Sequence, residues 1–244
     1  MKFYGVQVEE RERVGKYTVI RYRWPDDRVE PGQFVMARTN GYPVTLDPFL
    51  ARPFSFYDHE GEIASLLFEV RGRGTALLDL ASRIEVSAPL GQGFRIDASA
   101  ERAALLGGGV GVAPLKLLSR RLDELGIPHD VLLGFADAAT AGAAREFPSA
   151  RVATMDGSVG THGTVLDAVP DLGSYPVVYA CGPNPMLAAI KRAVGEGSVC
   201  QLSVEERMGC GNGSCNGCVV PVRGGGYVRS CLEGPVFRAE VLAW

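Results

Sequence analysis

The sequence predicts a multidomain β plus α/β fold: an N-terminal antiparallel β-barrel over residues 1–97, a doubly wound parallel-sheet domain over 98–204, and a small C-terminal domain over 205–244. Three features carry this reading. Short aromatic and β-branched runs separated by turn residues fill the first part. Short apolar strands alternate with helical stretches in the middle. Four of the six cysteines lie between Cys210 and Cys231.

In the first part the strand candidates are Phe3 to Val8, Tyr17 to Tyr22, Gln33 to Arg38 and Ile63 to Val70. Turn signals at Pro25-Asp26-Asp27, Glu30-Pro31-Gly32 and His59-Glu60-Gly61-Glu62 divide them. Strands of this length and spacing suit a small barrel. A short helix is expected over Thr75 to Ala81 with Thr75 as its N-cap. Ile84 to Ala88 then reads as a strand and Gly91 to Phe94 as the loop that closes the barrel.

The pattern changes near Asp97. Strands are expected over Arg102 to Leu106, His129 to Phe135, Ala150 to Met155, Val177 to Ala180 and Cys200 to Val204. Helical stretches are expected over Leu115 to Leu125, Thr140 to Phe147, Val165 to Val169 and Asn184 to Val194. This alternation is that of a parallel sheet covered on both faces. From Glu205 onward no long element is expected, and a unit of this size needs a metal or another staple.

Composition excludes some function classes. Lys plus Arg total 25 against 28 Asp plus Glu, a formal net charge of −3, which gives no footprint for a nucleic-acid backbone. Met1 to Val8 reads as polar-studded β structure and not as a signal peptide. The longest apolar stretch, Ala103 to Leu118, is interrupted by glycines, Pro114 and Lys116, so a membrane span is not expected. A cytoplasmic, soluble protein is the expectation.

Cys210, Cys215 and Cys218 form a C-x4-C-x2-C loop, with Cys231 returning further along. Thiolates and bridging sulfides carry negative charge, and backbone N–H groups can point at them only where side chains do not intrude. Gly211, Gly213 and Gly217 supply that room and reach positive φ without steric cost. The spacing is that of plant-type [2Fe–2S] ferredoxins. A structural zinc and a pair of disulfides are the alternatives. Zinc knuckles more usually carry two C-x2-C pairs, and disulfides need an oxidising compartment. Cys200 reads as a small core residue, whereas Cys181 stands at a strand end before Gly182-Pro183, where open α/β sheets bind ligands.

Gly107-Gly108-Gly109-Val110-Gly111 follows an apolar strand and lets a phosphate approach backbone at the next helix start, although glycine turns also serve close packing. Asp137, just past the second strand of this domain, is placed to accept hydrogen bonds from an adenosine ribose and to repel a 2′-phosphate, favouring NAD over NADP; the alternative is a solvated loop aspartate. Arg52 is a charge within the apolar run Arg52-Pro53-Phe54-Ser55-Phe56, and Gly72-Arg73-Gly74-Thr75 is a second phosphate-sized glycine turn.

Taken in order, Arg52-Pro53-Phe54-Ser55, Gly72-Arg73-Gly74-Thr75, Gly107 to Pro114 and Tyr179-Ala180-Cys181-Gly182-Pro183 resemble the ferredoxin–NADP reductase superfamily. With Glu205 to Cys210 and Cys231 to Phe237 added, the chain resembles the electron-transfer subunits of NAD-dependent bacterial dihydroorotate dehydrogenase. That resemblance implies an FAD-binding barrel, an NAD-binding domain and a [2Fe–2S] domain. It also implies a partner, an FMN-containing catalytic subunit that oxidises dihydroorotate to orotate in pyrimidine biosynthesis, in a heterotetramer of two of each. Residue by residue, Arg52 matches the arginine on the FAD pyrophosphate and Ser55 the serine near the flavin ring. Gly74 and Thr75 match the second phosphate turn, Gly108, Gly109 and Gly111 the nicotinamide-nucleotide loop, and Cys181 the cysteine near the nicotinamide. Phe54 stands where plant-type reductases carry tyrosine, so stacking survives and a phenol hydrogen bond does not. The neighbouring alternative is a diaphorase subunit of another redox complex, such as a hydrogenase or sulfide dehydrogenase. A zinc-stapled interaction module is a more distant one. Val219-Val220-Pro221 and Pro235-Val236-Phe237 are either partner-facing patches or packed core.

Overall fold

A computed structural model of the chain describes residues 1–25, 29–39, 47–169 and 171–244. The turn expected at Pro25-Asp26-Asp27 lies outside the described residues from Asp26 on.

Six antiparallel strands close the barrel in the order β1-β2-β5-β4-β3-β6. They are β1 (Phe3–Val14), β2 (Tyr17–Arg23), β3 (Phe34–Thr39), β4 (Arg52–Glu60), β5 (Ile63–Glu69) and β6 (Arg83–Ser87). Closure depends on β1, whose first half pairs with β6 and whose second half pairs with β2. A register shift between Val8 and Glu10 turns the strand from one partner to the other. Val6, Ile20, Tyr22, Phe56, Leu66 and Ile84 fill the interior, the alternate residues that a half-buried strand turns inward.

Helix α1 (Arg73–Leu80) caps the barrel. It is tied down through buried Asp79, which accepts from Thr18 Oγ1 at 2.6 Å and pairs with Arg13. The helix begins earlier than the sequence suggests. Gly72, not Thr75, is the N-cap, and Thr75 Oγ1 instead accepts from the amides of Arg71 (3.0 Å) and Gly72 (3.2 Å). A hydroxyl in the third helical position can reach back to those amides, so the residue that resembles a cap is already inside the helix.

The second unit is a sheet in the order β10-β9-β8-β7-β11-β12-β15. Its parallel strands are β7 (Ala103–Gly108), β8 (His129–Phe135), β9 (Arg151–Thr154), β10 (Thr161–His162), β11 (Val177–Gly182) and β12 (Val199–Val204). Helix α2 (Ala113–Glu124) follows a 3₁₀ turn, with Pro114 in its first turn, where the missing N–H costs nothing. The helix expected over 140–147 is instead α3 (Ala138–Ala141) running into a 3₁₀ stretch over Gly142–Glu146. The Asp137 carboxylate caps α3, and Gly142 and Pro148 curtail it. Helix α4 spans Asn184–Ala193. Among the described residues no helix is long and apolar enough to cross a membrane.

The C-terminal segment adds the hairpin β13 (Val219–Pro221) and β14 (Tyr227–Arg229), then β15 (Val236–Arg238), which pairs antiparallel with β12. Val220, Val236 and Phe237 are core, while Val219 remains accessible.

The barrel and the sheet share one core, in which Val14, Tyr17, Tyr57 and Leu67 pack with Leu105, Leu115, Leu118 and Phe135. Where the β1–β2 turn meets the 3₁₀ stretch the backbones touch. A Cβ on Gly142 would lie 2.5 Å from Gly15 Cα, and one on Gly15 would lie 2.6 Å from the Ala139 carbonyl. Gly142→Ala is therefore expected to destabilise the chain by about 1–3 kcal/mol through overpacking. Helix propensity alone would stabilise it by about 1 kcal/mol, so the sign of the Tm change in thermal unfolding decides between the two effects.

Candidate functional site

Successive parallel strands are added outward from β7 on one side, and β11 starts the other side, so the switch point lies between β7 and β11. Ligands of open α/β sheets bind outside the carboxyl ends of strands at such a point. Cys181 pairs in register with Gly107 there. Gly111 must be glycine, because a Cβ would stand 2.4 Å from the Cys181 carbonyl oxygen.

A cavity of about 250 Å³ opens at this point between barrel and sheet. Pro53, Phe54 and Ser55 line it from β4, Gly111 and Pro114 from the glycine turn, and Cys181 and Glu205 from the sheet ends. Burial, with Glu205 adding to it, pushes the Cys181 thiol far above its ordinary value against a weaker pull from Ser203, so the group is a neutral thiol at physiological pH. The Glu205 carboxyl presents surface to the cavity but is crowded by protein, and that crowding raises its pKa despite the opposing charge of Arg71. A carboxylate directly after a buried strand of a nucleotide domain is the signal that could have marked Glu205 in advance.

Beside this cavity, Arg52 and the start of α1 come together. The Arg52 guanidinium lies across Gly74, where a Cβ would fall 2.1 Å from its Cζ. Among the described residues no side chain caps the first turn of α1, and no acidic residue occupies that turn. A guanidinium beside helical amides offers an anion two kinds of donor.

A second cavity of about 490 Å³ lies across the glycine turn, lined by Gly108, Gly109, Phe135, Pro183 and Met186 among others. Glu69 and Arg71 line both cavities, and Lys16 lines the second. Glu69 holds both cations, Lys16 at 2.9 Å and Arg71 at 2.6 Å. These three belong to the barrel, and nothing local in the sequence marks them. Asp137 is at the end of β8 as expected, but its Oδ1 already accepts from the Thr140 amide (2.8 Å) and hydroxyl (2.9 Å). Those hydrogen bonds hold its carboxyl below the ordinary range.

The four cysteines of the terminal loop form the third part of the site. Cys218 and Cys231 are buried against Phe34 and Met36 of β3, Cys210 is half-buried and Cys215 is exposed. Among the described residues, backbone amides point at sulfur: Gly213 at Cys231 (3.2 Å), and Cys215 at Cys210, Gly217 at Cys215 and Cys231 at Cys218 (3.4 Å each). Burial alone would raise the Cys210 thiol, but amides of Asn212 and neighbouring residues bring it down to about 6. Gly211 (φ 70°) and Gly213 (φ 81°) take the left-handed conformation, whereas at the third turn it falls on Asn216 (φ 54°) and not on Gly217. Asparagine tolerates that region, and Gly217 instead leaves space over the Cys215 sulfur. Among the described residues no three His, Cys, Asp or Glu side chains converge on the point that one ion would occupy. A two-iron cluster spreads four thiolates over two metal positions, and the donor set with its ring of amides fits that group. Phe34 and Met208 pack on the cysteines and also line the first cavity, so the two sites share a wall.

Known proteins resemble this chain over most of its length. A family model described as the iron-sulfur cluster binding domain of dihydroorotate dehydrogenase B matches residues 205–243. The dihydroorotate dehydrogenase B (NAD+) electron transfer subunit of Geobacillus thermodenitrificans (strain NG80-2) is 42% identical over 223 residues, 86% of this chain and 85% of that one. The subunit of the same name from Listeria monocytogenes serovar 1/2a (strain ATCC BAA-679 / EGD-e) is 38% identical over 225 residues, 87% of each. Among solved structures, a chain from the NADH-dependent reduced ferredoxin-NADP oxidoreductase superposes with a TM-score of 0.84 at 26% identity, covering 98% of this chain and 90% of its own. Phthalate dioxygenase reductase, at 14% identity and a TM-score of 0.64 over 91% and 87% of the two chains, shares the fold.

Proposed function

Because the chain belongs to the family of dihydroorotate dehydrogenase B (NAD+) electron transfer subunits, we propose that its three adjoining sites divide the work of a single electron path. The protein is a flavin-dependent NAD oxidoreductase subunit acting with a catalytic partner. It channels electrons between partner-bound FMN and NAD during dihydroorotate oxidation, with FAD supplying exchange between a hydride pair and single electrons and the [2Fe–2S] cluster supplying single-electron relay.

The chain's own residues bind, orient and shield. Arg52 and the open first turn at Gly72, Gly74 and Thr75 receive the FAD pyrophosphate, while Pro53, Phe54 and Ser55 frame the ring. Gly108 and Gly109 let the NAD backbone approach β7, with the barrel cations Lys16 and Arg71 beside the same cavity, and Gly111 lines the adjoining first cavity. Asp137 retains Oδ2 for a ribose hydroxyl. Cys181, held neutral, orients the nicotinamide by packing and moves no proton. Cys210, Cys215, Cys218 and Cys231 hold the cluster, and the accessible edge at Cys215, flanked by exposed Leu232, faces the partner. The family resemblance supports an assembly of two of each subunit, and the cysteine loop suits a reducing compartment such as the cytoplasm.

The observation that carries this reading is the shared wall of Phe34 and Met208 between the flavin cavity and the cysteine loop. Coexpression with the partner tests it. The purified complex should contain FAD, FMN and iron and should reduce NAD+ with dihydroorotate. A complex that copurifies with both flavins but transfers nothing to NAD+ would refute it.

A further inference from the structure

The cysteine loop carries the ion pair Arg229–Glu233. Arg229, at the end of β14, donates from Nη1 to the Gly213 carbonyl at 3.1 Å. Glu233 grips the arginine from the other side, accepting from its backbone amide at 2.7 Å, from Nε at 3.1 Å and from Nη2. The turn between them contains Cys231, and amides of Leu232 and Glu233 close it on the Arg229 carbonyl at 3.2 and 2.9 Å. Gly213, which receives the guanidinium through its carbonyl, directs its own amide at the Cys231 sulfur at 3.2 Å. The guanidinium thus braces the peptide segment that hydrogen-bonds a ligand.

Two physical consequences follow. Reduction adds negative charge to a cluster, so a fixed cation nearby favours the reduced state and a fixed anion the oxidised one. A hydrogen bond to a ligand sulfur acts in the same direction as the cation, because it strengthens as the sulfur becomes more negative. The arginine and the glutamate therefore act with opposite signs, and the arginine acts a second time through Gly213.

Resting on the assignment of a [2Fe–2S] cluster to these cysteines, we propose that Arg229 and Glu233 form a charge-compensated brace that sets the reduction potential of the cluster. Arg229 is a positioning residue: it acts through Gly213 and through its field. Glu233 fixes the guanidinium and offsets its charge.

The test is a redox titration of the cluster in the purified complex, followed by the electron paramagnetic resonance of the reduced form. Arg229→Gln should lower the midpoint potential, because it leaves Glu233 uncompensated and frees Gly213. Glu233→Gln, which keeps an oxygen for the Arg229 amide, should raise it. The double variant restores the charge balance but not the brace, so its midpoint should fall below wild type by less than that of Arg229→Gln. Two single variants shifting in the same direction, or neither shifting, would overturn the proposal. If Arg229→Gln fails to retain iron, Arg229→Lys and Glu233→Gln carry the test, the lysine keeping the charge but not the forked contact. Their midpoints must then move in opposite directions, downward for the lysine, or the proposal fails. A wild-type complex without any reducible iron signal would instead mean that the cluster assignment is wrong.

Discussion

Replacing Cys215 by serine is expected to abolish electron transfer to the partner's FMN while leaving FAD bound. Cys215 is the exposed member of the four, whereas Cys218 and Cys231 are each 2% exposed and packed on Phe34 and Met36. Removing either buried thiol would also open a void against the barrel wall and confuse loss of the cluster with loss of packing. At Cys215 that complication is absent. The Arg52 guanidinium meets Gly74 at the start of α1, whereas the buried cysteines pack on Phe34 and Met36. Even outer partners of metal ligands are worth about 10- to 100-fold in affinity or activity, so the loss of a ligand should reduce onward transfer by at least about 100-fold. Iron analysis and stopped-flow reduction of the partner's FMN by NADH read the two effects separately, while ferricyanide reduction by NADH reports the flavin site alone. Full iron content together with an undiminished rate to FMN would mean that these cysteines do not carry the path.

The parts of this arrangement that could be read from the chain are those written in neighbouring residues. The cysteine loop and the strand His129–Phe135 each combine local composition with a local constraint and match the reading of the sequence, whereas the glycine run divides, Gly107 and Gly108 ending β7 and Gly109 opening the 3₁₀ turn. The sites that could not be read arise from contact between distant segments. Lys16, Glu69 and Arg71 reach the second cavity only because the barrel and the sheet share a core, and the barrel strands carry no sign of that. The close approach of Gly15 and Gly142 is likewise invisible in either neighbourhood. Thr75 misleads for a different reason. A glycine cap leaves no side-chain signal, so the nearest hydroxyl is taken for the cap although its oxygen serves amides behind it. Asp137 shows the same ambiguity: one carboxylate can cap a helix and face a ribose, and only geometry shows that one of its oxygens is already engaged.

The anion site of the barrel makes the second large prediction, because two residues from separate segments should fail in the same way. Arg52→Ala removes the guanidinium, and Gly74→Ala places a methyl group where that guanidinium lies. The displaced atoms are the free end of a flexible side chain, so the fold should absorb the methyl, and alanine is the better helix former by about 1 kcal/mol. Gly74→Ala is therefore expected to leave thermal stability of the FAD-free chain unchanged or raised while it weakens FAD binding. Hydrogen bonds to charged groups are worth about 1.5–3 kcal/mol, which corresponds to roughly 10- to 100-fold in affinity for each variant. Because both substitutions remove one interaction, the double variant should bind FAD about as weakly as Arg52→Ala alone, whereas independent contributions would multiply. Fluorescence titration of the deflavinated chain with FAD measures all four affinities. Additive losses, or a Gly74→Ala variant that binds FAD as tightly as wild type, would separate Arg52 from the helix start and remove the pyrophosphate site from this corner of the barrel.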